Sequence, residues 1–242
     1  MEERFTVRFA VTNEEKNKAY RLRYNDMLLQ FNPNAQAKDG LDATHCDAYA
    51  RQIICIDNET GEVVGCYRLI TSDDLPANEN FVSEEEFCLG TLKNTGEKIV
   101  ELSRAVVKTE YRTGPVLPLL LRFIVKFVRN GYRYVIGDAS FFGTDKNEHI
   151  EALSYLANTF PIDDDYGIFS LEKEQVDILP LDKLDLTKIK RSLPPLIKAY
   201  SAFGAKFSKT SFTDYDFGSV DVFVLLDTQN CNDEYINRML KI

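Results

Sequence analysis

The chain has no tryptophan, and only His45 and His149 represent histidine among its 242 residues. Five cysteines (Cys46, Cys55, Cys66, Cys88 and Cys231) make an odd count without a C-x-x-C pair. That spacing excludes a zinc ribbon and leaves no disulfide framework to expect. Free thiols of this kind are expected to act as small buried hydrophobes, with one near the C-terminus. Cys46 follows His45, but adjacency alone does not make a nucleophile pair. No metal site is expected. No apolar run approaches the roughly 20 residues that cross a bilayer. The opening MEERFTVRFAV begins with acids and lacks a signal-peptide pattern, so a cytoplasmic protein is expected. Basic residues are the minority, 29 against 38 acids for a net charge of −9, which disfavours non-specific nucleic-acid binding. Repeats and low-complexity tracts are also absent.

What is present is an ordinary globular mixture, 44% apolar and 28% charged. Its length suits a single domain over 1–242 with an acidic, weakly patterned insertion at about 161–192. Basic charge is concentrated between Arg104 and Arg133, where Lys108, Arg112, Arg122, Lys126 and Arg129 also fall, opposed only by Glu110. Such a stretch is either a docking face for an acidic partner or a solvated helix face, and the sequence leaves both open.

Hydrophobic periodicity gives the element order. Phe5 to Val11 alternates as a strand, and Thr12 or Asn13 caps a helix running to about Leu29. Tyr20, Tyr24, Met27 and Leu28 form its apolar stripe, with Arg21 and Arg23 off it. A polar loop with Asp39, Asp42, His45 and Asp47 follows. Gln52 to Asp57 and Val63 to Ile70 read as a hairpin across Asn58-Glu59-Thr60-Gly61. Thr71 to Phe87 is irregular. Lys98 to Val107 is a strand and Pro115 to Asn130 a helix, with Val116, Leu119, Leu120, Phe123 and Phe127 expected inward. Tyr134 to Ser140 reads as a buried parallel strand. Helices at about 147–160 and 194–203, strands at 206–211 and 220–227, and a short last helix complete a three-layer α/β arrangement on a mixed sheet.

The centre of the chain is its most informative part. Glu101 and Arg104 are set into the apolar run Ile99 to Val107, and burying them is costly unless they are paired or do chemistry. A Gly-Pro turn and a long helix follow, leaving backbone N–H groups at a helix start where an anion can sit. In a regular strand, positions 101 and 104 face opposite ways. A bulge at Leu102-Ser103-Arg104 would bring them to one pocket, splay this strand from Tyr134–Ser140, and offer a backbone N–H to an oxyanion. The alternative is a structural Glu101–Arg104 ion pair.

This order resembles the GNAT superfamily of N-acyltransferases. The usual acetyl-CoA loop of that superfamily, R/Q-x-x-G-x-G/A, is matched poorly by Arg112-Thr113-Gly114-Pro115-Val116-Leu117, where the glycine comes early and proline removes a donor. Gly61-Glu62-Val63-Val64-Gly65-Cys66-Tyr67-Arg68-Leu69, Phe81-Val82-Ser83-Glu84-Glu85-Glu86-Phe87, Glu101-Leu102-Ser103-Arg104, Leu193-Pro194-Pro195 and Asp214-Tyr215-Asp216-Phe217 narrow the resemblance. Together they resemble the ornithine-lipid-synthase (haemolysin-like) acyltransferases and, more distantly, acyl-homoserine-lactone synthases. The latter tend to carry a tryptophan after the first helix, so its absence favours the amino-acid-lipid branch.

The resemblance implies a GNAT-like fold whose central sheet contains a splayed parallel pair. It implies transfer of a fatty or 3-hydroxyacyl group from an acyl carrier protein thioester to the amine of a small amino acid such as ornithine or glycine. The weak pyrophosphate loop favours phosphopantetheine on the carrier protein over acyl-CoA, and no permanently bound cofactor is implied. Glu101 and Arg104 fall at catalytic positions. Arg23, Asp47 and Arg68 fall at substrate-binding positions, with Asp42 a rival to Asp47. Val106, Lys108, Arg112, Thr113 and Gly114 lie along the donor. Peripheral contact with the inner face of a membrane is a further expectation. A lactone-forming signal synthase and a non-catalytic carrier-protein-binding module are the competing readings.

Overall fold

The computed structural model describes residues 4–241. β1 (Phe5–Phe9) leads into α1 (Asn13–Arg23), which Thr12 starts with a reciprocal capping box: its side chain accepts from the Glu15 N–H while Glu15 reaches back. The helix continues through a π-turn (Tyr24–Leu28) into the single turn α2 (Leu29–Phe31). π-turns are often found at functional sites. β2 (Arg51–Asp57) and β3 (Glu62–Thr71) form the expected hairpin, and a short β4 (Phe87–Cys88) precedes β5 (Ile99–Val107). Next come α3 (Val116–Val128), β6 (Tyr134–Phe142) and α4 (Ile150–Thr159). The 161–192 segment supplies β7 (Phe169–Ser170), which pairs with β4, and α5 (Leu186–Ser192). α6 (Pro195–Phe203), β8 (Lys206–Asp214), β9 (Ser219–Asp227) and α7 (Asp233–Lys241) follow.

Seven strands form one sheet in the order β1-β2-β3-β5-β6-β9-β8. The β5–β6 pair is parallel and its five neighbouring pairings are antiparallel. One face packs against α3 and α7 through Val100, Leu102, Leu120 and Ile124, and against α4, α5 and α6 through Ala139, Phe141 and Val222. The other face takes α1 against Ile54, Cys66 and Val106, and the 72–98 loop against Ile99, Ile136 and Phe223. Among the described residues no helix is long and apolar enough to cross a membrane.

Two irregularities open the sheet at its centre. On the β3 side, Arg68 pairs with Ser103 but Cys66 pairs with Val106, so Tyr67 stands opposite two residues of β5. This is the expected bulge, and Arg104 carries it at φ +52°, a conformation costing about 1–2 kcal/mol outside glycine. On the β6 side, parallel pairing covers Ile99–Tyr134, Val100–Val135 and Glu101–Ile136 and then stops. Past that point the strands part. Gly137 sits at the fork, where a Cβ would come 2.3 Å from the Leu102 carbonyl oxygen, so a side chain there would drive the strands further apart.

Two expectations need correcting. The inward face of α3 is Val116, Leu120, Leu121, Ile124 and Val128, with Leu119, Phe123 and Phe127 half-buried at its flank against Phe9 and Tyr132. The phase shifts because the helix is apolar nearly all round, so periodicity alone leaves its inner face ambiguous. Arg23 is not off the buried face of α1 but wholly within it. All five thiols are free; Cys46, Cys55 and Cys66 are buried and Cys88 and Cys231 partly so.

Candidate active site

Because of the bulge, Glu101, Ser103, Arg104 and Val106 all turn to the α1 side of the sheet. Glu101 meets Val82 and Ser83 there, Ser103 meets Arg68, and Arg104 lies with its Nε 3.4 Å from Asp42 Oδ2. Glu101 and Arg104 do not pair with each other, so the structural ion pair is ruled out.

Arg23 is fully enclosed and uses its whole fork. Nε donates to Asp42 Oδ2 at 2.9 Å, Nη1 to Asp47 Oδ1 at 2.9 Å and Nη2 to Asp47 Oδ2 at 3.1 Å. Gln52 donates to the same Asp47 oxygen at 2.9 Å, and the Thr44 N–H to the other at 2.8 Å. Burial works against the Arg23 charge, but the two carboxylates hold its pKa above the ordinary value. Burial likewise pushes Asp47 upward, yet Arg23 and Arg68 outweigh it and hold Asp47 below the usual carboxylate range. Arg68, also buried, donates to Ser103 Oγ at 2.9 Å and Thr44 Oγ1 at 2.8 Å, with Asp47 3.8 Å away. Arg23, Asp47 and Arg68 thus meet in one network, with Asp42 sharing it rather than competing.

Glu101 is also completely buried. The Ser83 N–H and hydroxyl donate to Oε1 at 2.7 and 2.6 Å, and the Val82 N–H donates to Oε2 at 2.9 Å. An ionised carboxylate oxygen accepts two bonds, so Oε2 retains one open site. Burial raises the Glu101 pKa against the pull of these donors and of Arg68. Arg104 is drawn the other way: burial lowers it, Asp42 restores part of that, and its Nε lacks a hydrogen-bond partner. The ring of Phe217 lies 5.1 Å from its guanidinium carbon. Phe31, after the π-turn, stacks on Phe217 at 4.6 Å and on Phe142 at 4.0 Å, roofing the cleft.

Four acids on the far side of the cleft were not anticipated. Asp138 lies on β6 just past the fork, and Asp221 lies opposite Ser140 on β9. Glu86 and Asp214 complete the group. Asp138 Oδ1, Asp221 Oδ1 and Glu86 Oε2 are buried without a hydrogen-bond partner. Burial first, then the charges of Glu101 and Asp221, push Asp138 well above the usual range. Glu101, with three donors, holds a charge more readily than Asp138. A carboxylate inside each apolar strand, Asp138 and Asp221, was the available signal, the same one that singles out Glu101. Ser83 lay in the Phe81–Phe87 segment of the family resemblance, but only tertiary folding shows that it meets Glu101.

The fork also opens to the α3 side, onto a cavity of about 80 Å³. Leu102, Ile136, Gly137 and Asp138 line its inner end, and Leu121, Ile124, Val125 and Val128 of α3 line its length. No residue of α1 lines it.

The expected donor residues spread along the run from the bulge to α3. Val106 is buried against α1, and Lys108 pairs with Glu62 at 2.8 Å. Arg112 donates to the Asp26 and Val107 carbonyls and to Gln30, tying this turn to the π-turn. Thr113 and Gly114 are exposed, and the Gly114 N–H is taken by the Tyr111 carbonyl. The basic residues of 104–133 form no single face. Arg129 pairs with Asp233, Arg133 chelates Asp227, and Arg104 is in the cleft. His45 pairs with Glu79 and His149 meets the Phe142 carbonyl, so neither reaches the fork.

A family model described as "Acetyltransferase (GNAT) domain" matches residues 22–122. An L-ornithine N(alpha)-acyltransferase of Agrobacterium fabrum is 32% identical over 73% of the chain, a match spanning 62% of that relative's length. Proteins of the same name from Rhizobium meliloti and Rhodobacter capsulatus are 28% and 25% identical, covering 90% and 96% of this chain and 77% and 93% of theirs. Among solved structures, the CoA-dependent acyl-homoserine lactone synthase MesI aligns with TM-score 0.52 at 16% identity, over 99% of this chain and 96% of its own. A second such synthase, BjaI, aligns at 0.53 and 14% identity, over 98% and 89%. The structural likenesses speak to the fold alone. With the forked parallel pair, the sequence matches make this chain similar to the GNAT-fold acyltransferases and to relatives named ornithine N-acyltransferases.

Proposed function

We propose that the chain transfers a fatty acyl group, 3-hydroxyacyl in the first instance, from a thioester to the α-amine of ornithine or a similar small amino acid. The observation carrying this reading is the β5–β6 fork. It joins an apolar cavity on one face to a polar cleft on the other, with Glu101 at its apex. The acyl tail lies in the cavity, the thioester carbonyl lies at the fork, and the amino acid occupies the cleft. Arg104, whose Nε makes no hydrogen bond and lies 3.4 Å from Asp42, receives the acceptor carboxylate. Arg23, Asp47 and Arg68 position this wall rather than touch substrate.

The acceptor ammonium must lose a proton before attack, and Oε2 of Glu101 takes it, through a water. The neutral nitrogen then attacks the carbonyl. The C–N bond forms, the nitrogen sheds its second proton and the C–S bond breaks; one of the two protons goes to the leaving thiolate and the other to solvent. Backbone N–H groups of β5 past Glu101, where pairing with β6 has stopped, serve the oxyanion. Acyl-phosphopantetheine on an acyl carrier protein is the donor we favour over acyl-CoA. Pro115 lacks a donor and the Gly114 N–H is already bonded, which leaves a poor cradle for a pyrophosphate. The protein works in the cytoplasm, meeting the membrane peripherally because its product is a lipid precursor.

Incubating the protein with either 3-hydroxyacyl donor and a mixture of ornithine, glycine and S-adenosylmethionine tests the reading by product mass. Acyl-ornithine or acyl-glycine is expected. An acyl lactone supports the signal-synthase reading. Carrier-protein binding without product supports a non-catalytic module.

A further inference from the structure

The acid-rich side of the cleft has no role in the transfer as described. Glu86, Asp214 and Asp221 each place a carboxylate oxygen within 4.8 Å of the others. Among the described residues, none of the three has an ion-pair partner. Asp221 is only 3% exposed; its Oδ2 accepts from Ser219 Oγ at 2.7 Å, while its Oδ1 has no partner. Glu86 Oε2 is likewise buried and unpartnered. Asp214 Oδ1 accepts from the Asp216 and Phe217 N–H groups in the β8–β9 turn that carries Phe217 over Arg104. Two buried oxygens without a hydrogen-bond donor, on Glu86 and Asp221, thus lie in the same cleft as the Arg104 guanidinium.

We infer that Glu86, Asp214 and Asp221 are the seat for the side-chain ammonium of a diamino acid acceptor and set the preference for that acceptor over a neutral amino acid. The inference rests on the acyltransferase reading above and specifies its substrate. A primary ammonium offers three N–H donors, one for each carboxylate. A hydrated divalent cation also suits three carboxylates, because water completes its shell, and chelation separates the two occupants. The three acids crowd together in a largely buried space. Burial and the neighbouring acids accordingly push Glu86 up to about 10, and burial pushes Asp221 up to about 6. An arriving ammonium relieves that crowding, which a neutral side chain cannot do.

The test compares ornithine with norvaline, which has the same carbon chain and no terminal nitrogen. For the full-length chain, kcat/KM for ornithine is expected to exceed that for norvaline by roughly 100-fold or more. In Glu86→Gln, nearly isosteric, and in the half-exposed Asp214→Asn, that ratio falls at least about tenfold, mainly through a higher KM for ornithine. A wild-type ratio near one overturns the proposal without any variant. It is also overturned by an unchanged ratio in both variants, or by equal losses with the two substrates. Loss of the ornithine preference on chelation, with recovery on adding calcium or magnesium, would make the cluster a metal seat instead. If ornithine is acylated but the ratio does not respond, the seat alone is wrong. If neither amino acid is acylated, the acyltransferase reading fails with it.

Discussion

Arg23 commits its guanidinium to Asp42 and Asp47, and Gln52 and Thr44 close the remaining bonds of that network. Across the bulge, Glu86, Asp138 and Asp221 keep buried oxygens with no donor at all. Both clusters lie on the same face of one sheet, and both bury charge. The first is what a fold builds to hold a wall in place, because a paired and fully bonded charge costs little once formed. The second is costly as it stands, and such a cost persists where a ligand or a proton is handled. Glu101 lies between the two, with three donors and one open acceptor site.

The largest effect expected from breaking this contrast is on chemistry. Glu101→Gln keeps the shape of the apex but removes the proton acceptor. Amide formation should fall by about 10² to 10⁴, read as product per unit time, with carrier-protein binding retained. The next effect is on stability. Arg23→Met takes the main cation from buried Asp42 and Asp47, leaving the longer contacts to Arg104 and Arg68, at a cost of about 3–5 kcal/mol. Thermal melting should drop by roughly 6–20 °C for a domain of this size. A melting temperature within a degree of wild type would mean that the network is dispensable.

Asp221→Asn should move stability the other way, because it removes a charge that the fold holds at a penalty. The folded pKa of Asp221 is raised to about 6, against about 3.9 in an unfolded chain. The folded state therefore binds the extra proton between these values, and wild-type stability is lost as pH rises through them. The variant and wild type should melt together below about pH 4, and the gap should be fully open above about pH 6, worth on the order of 1–3 kcal/mol. The same variant should discriminate less well between ornithine and norvaline. The smallest effect concerns the apolar end of the fork. Val125→Phe should shift the preferred donor to shorter acyl chains, by about tenfold in relative kcat/KM.

Much of this architecture was legible beforehand, for identifiable reasons. The hairpin at Asn58-Glu59-Thr60-Gly61 and the Thr12 cap are local chemistry, and they fold where their residues indicate. The bulge at Arg104 followed from strand geometry, since positions 101 and 104 cannot otherwise share a face. Burial of Arg23 was missed because its partners, Asp42 and Asp47, are about 20 residues away and no periodicity reports them. The inner face of α3 was misread because Leu, Phe and Val surround it almost completely. Asp138 and Asp221 stood in apolar strands just as Glu101 does, but without a family pattern to mark them.

The central claim is that Glu101, at the fork of β5 and β6, deprotonates an amino acid that then takes an acyl group from a thioester. It is tested most directly by giving wild type and Glu101→Gln the same 3-hydroxyacyl carrier protein and ornithine and weighing the products. The account predicts a mass equal to ornithine plus the acyl acid less one water from wild type, and almost none from the variant. Equal yields from the two proteins, or no amide from wild type with either donor, would contradict it.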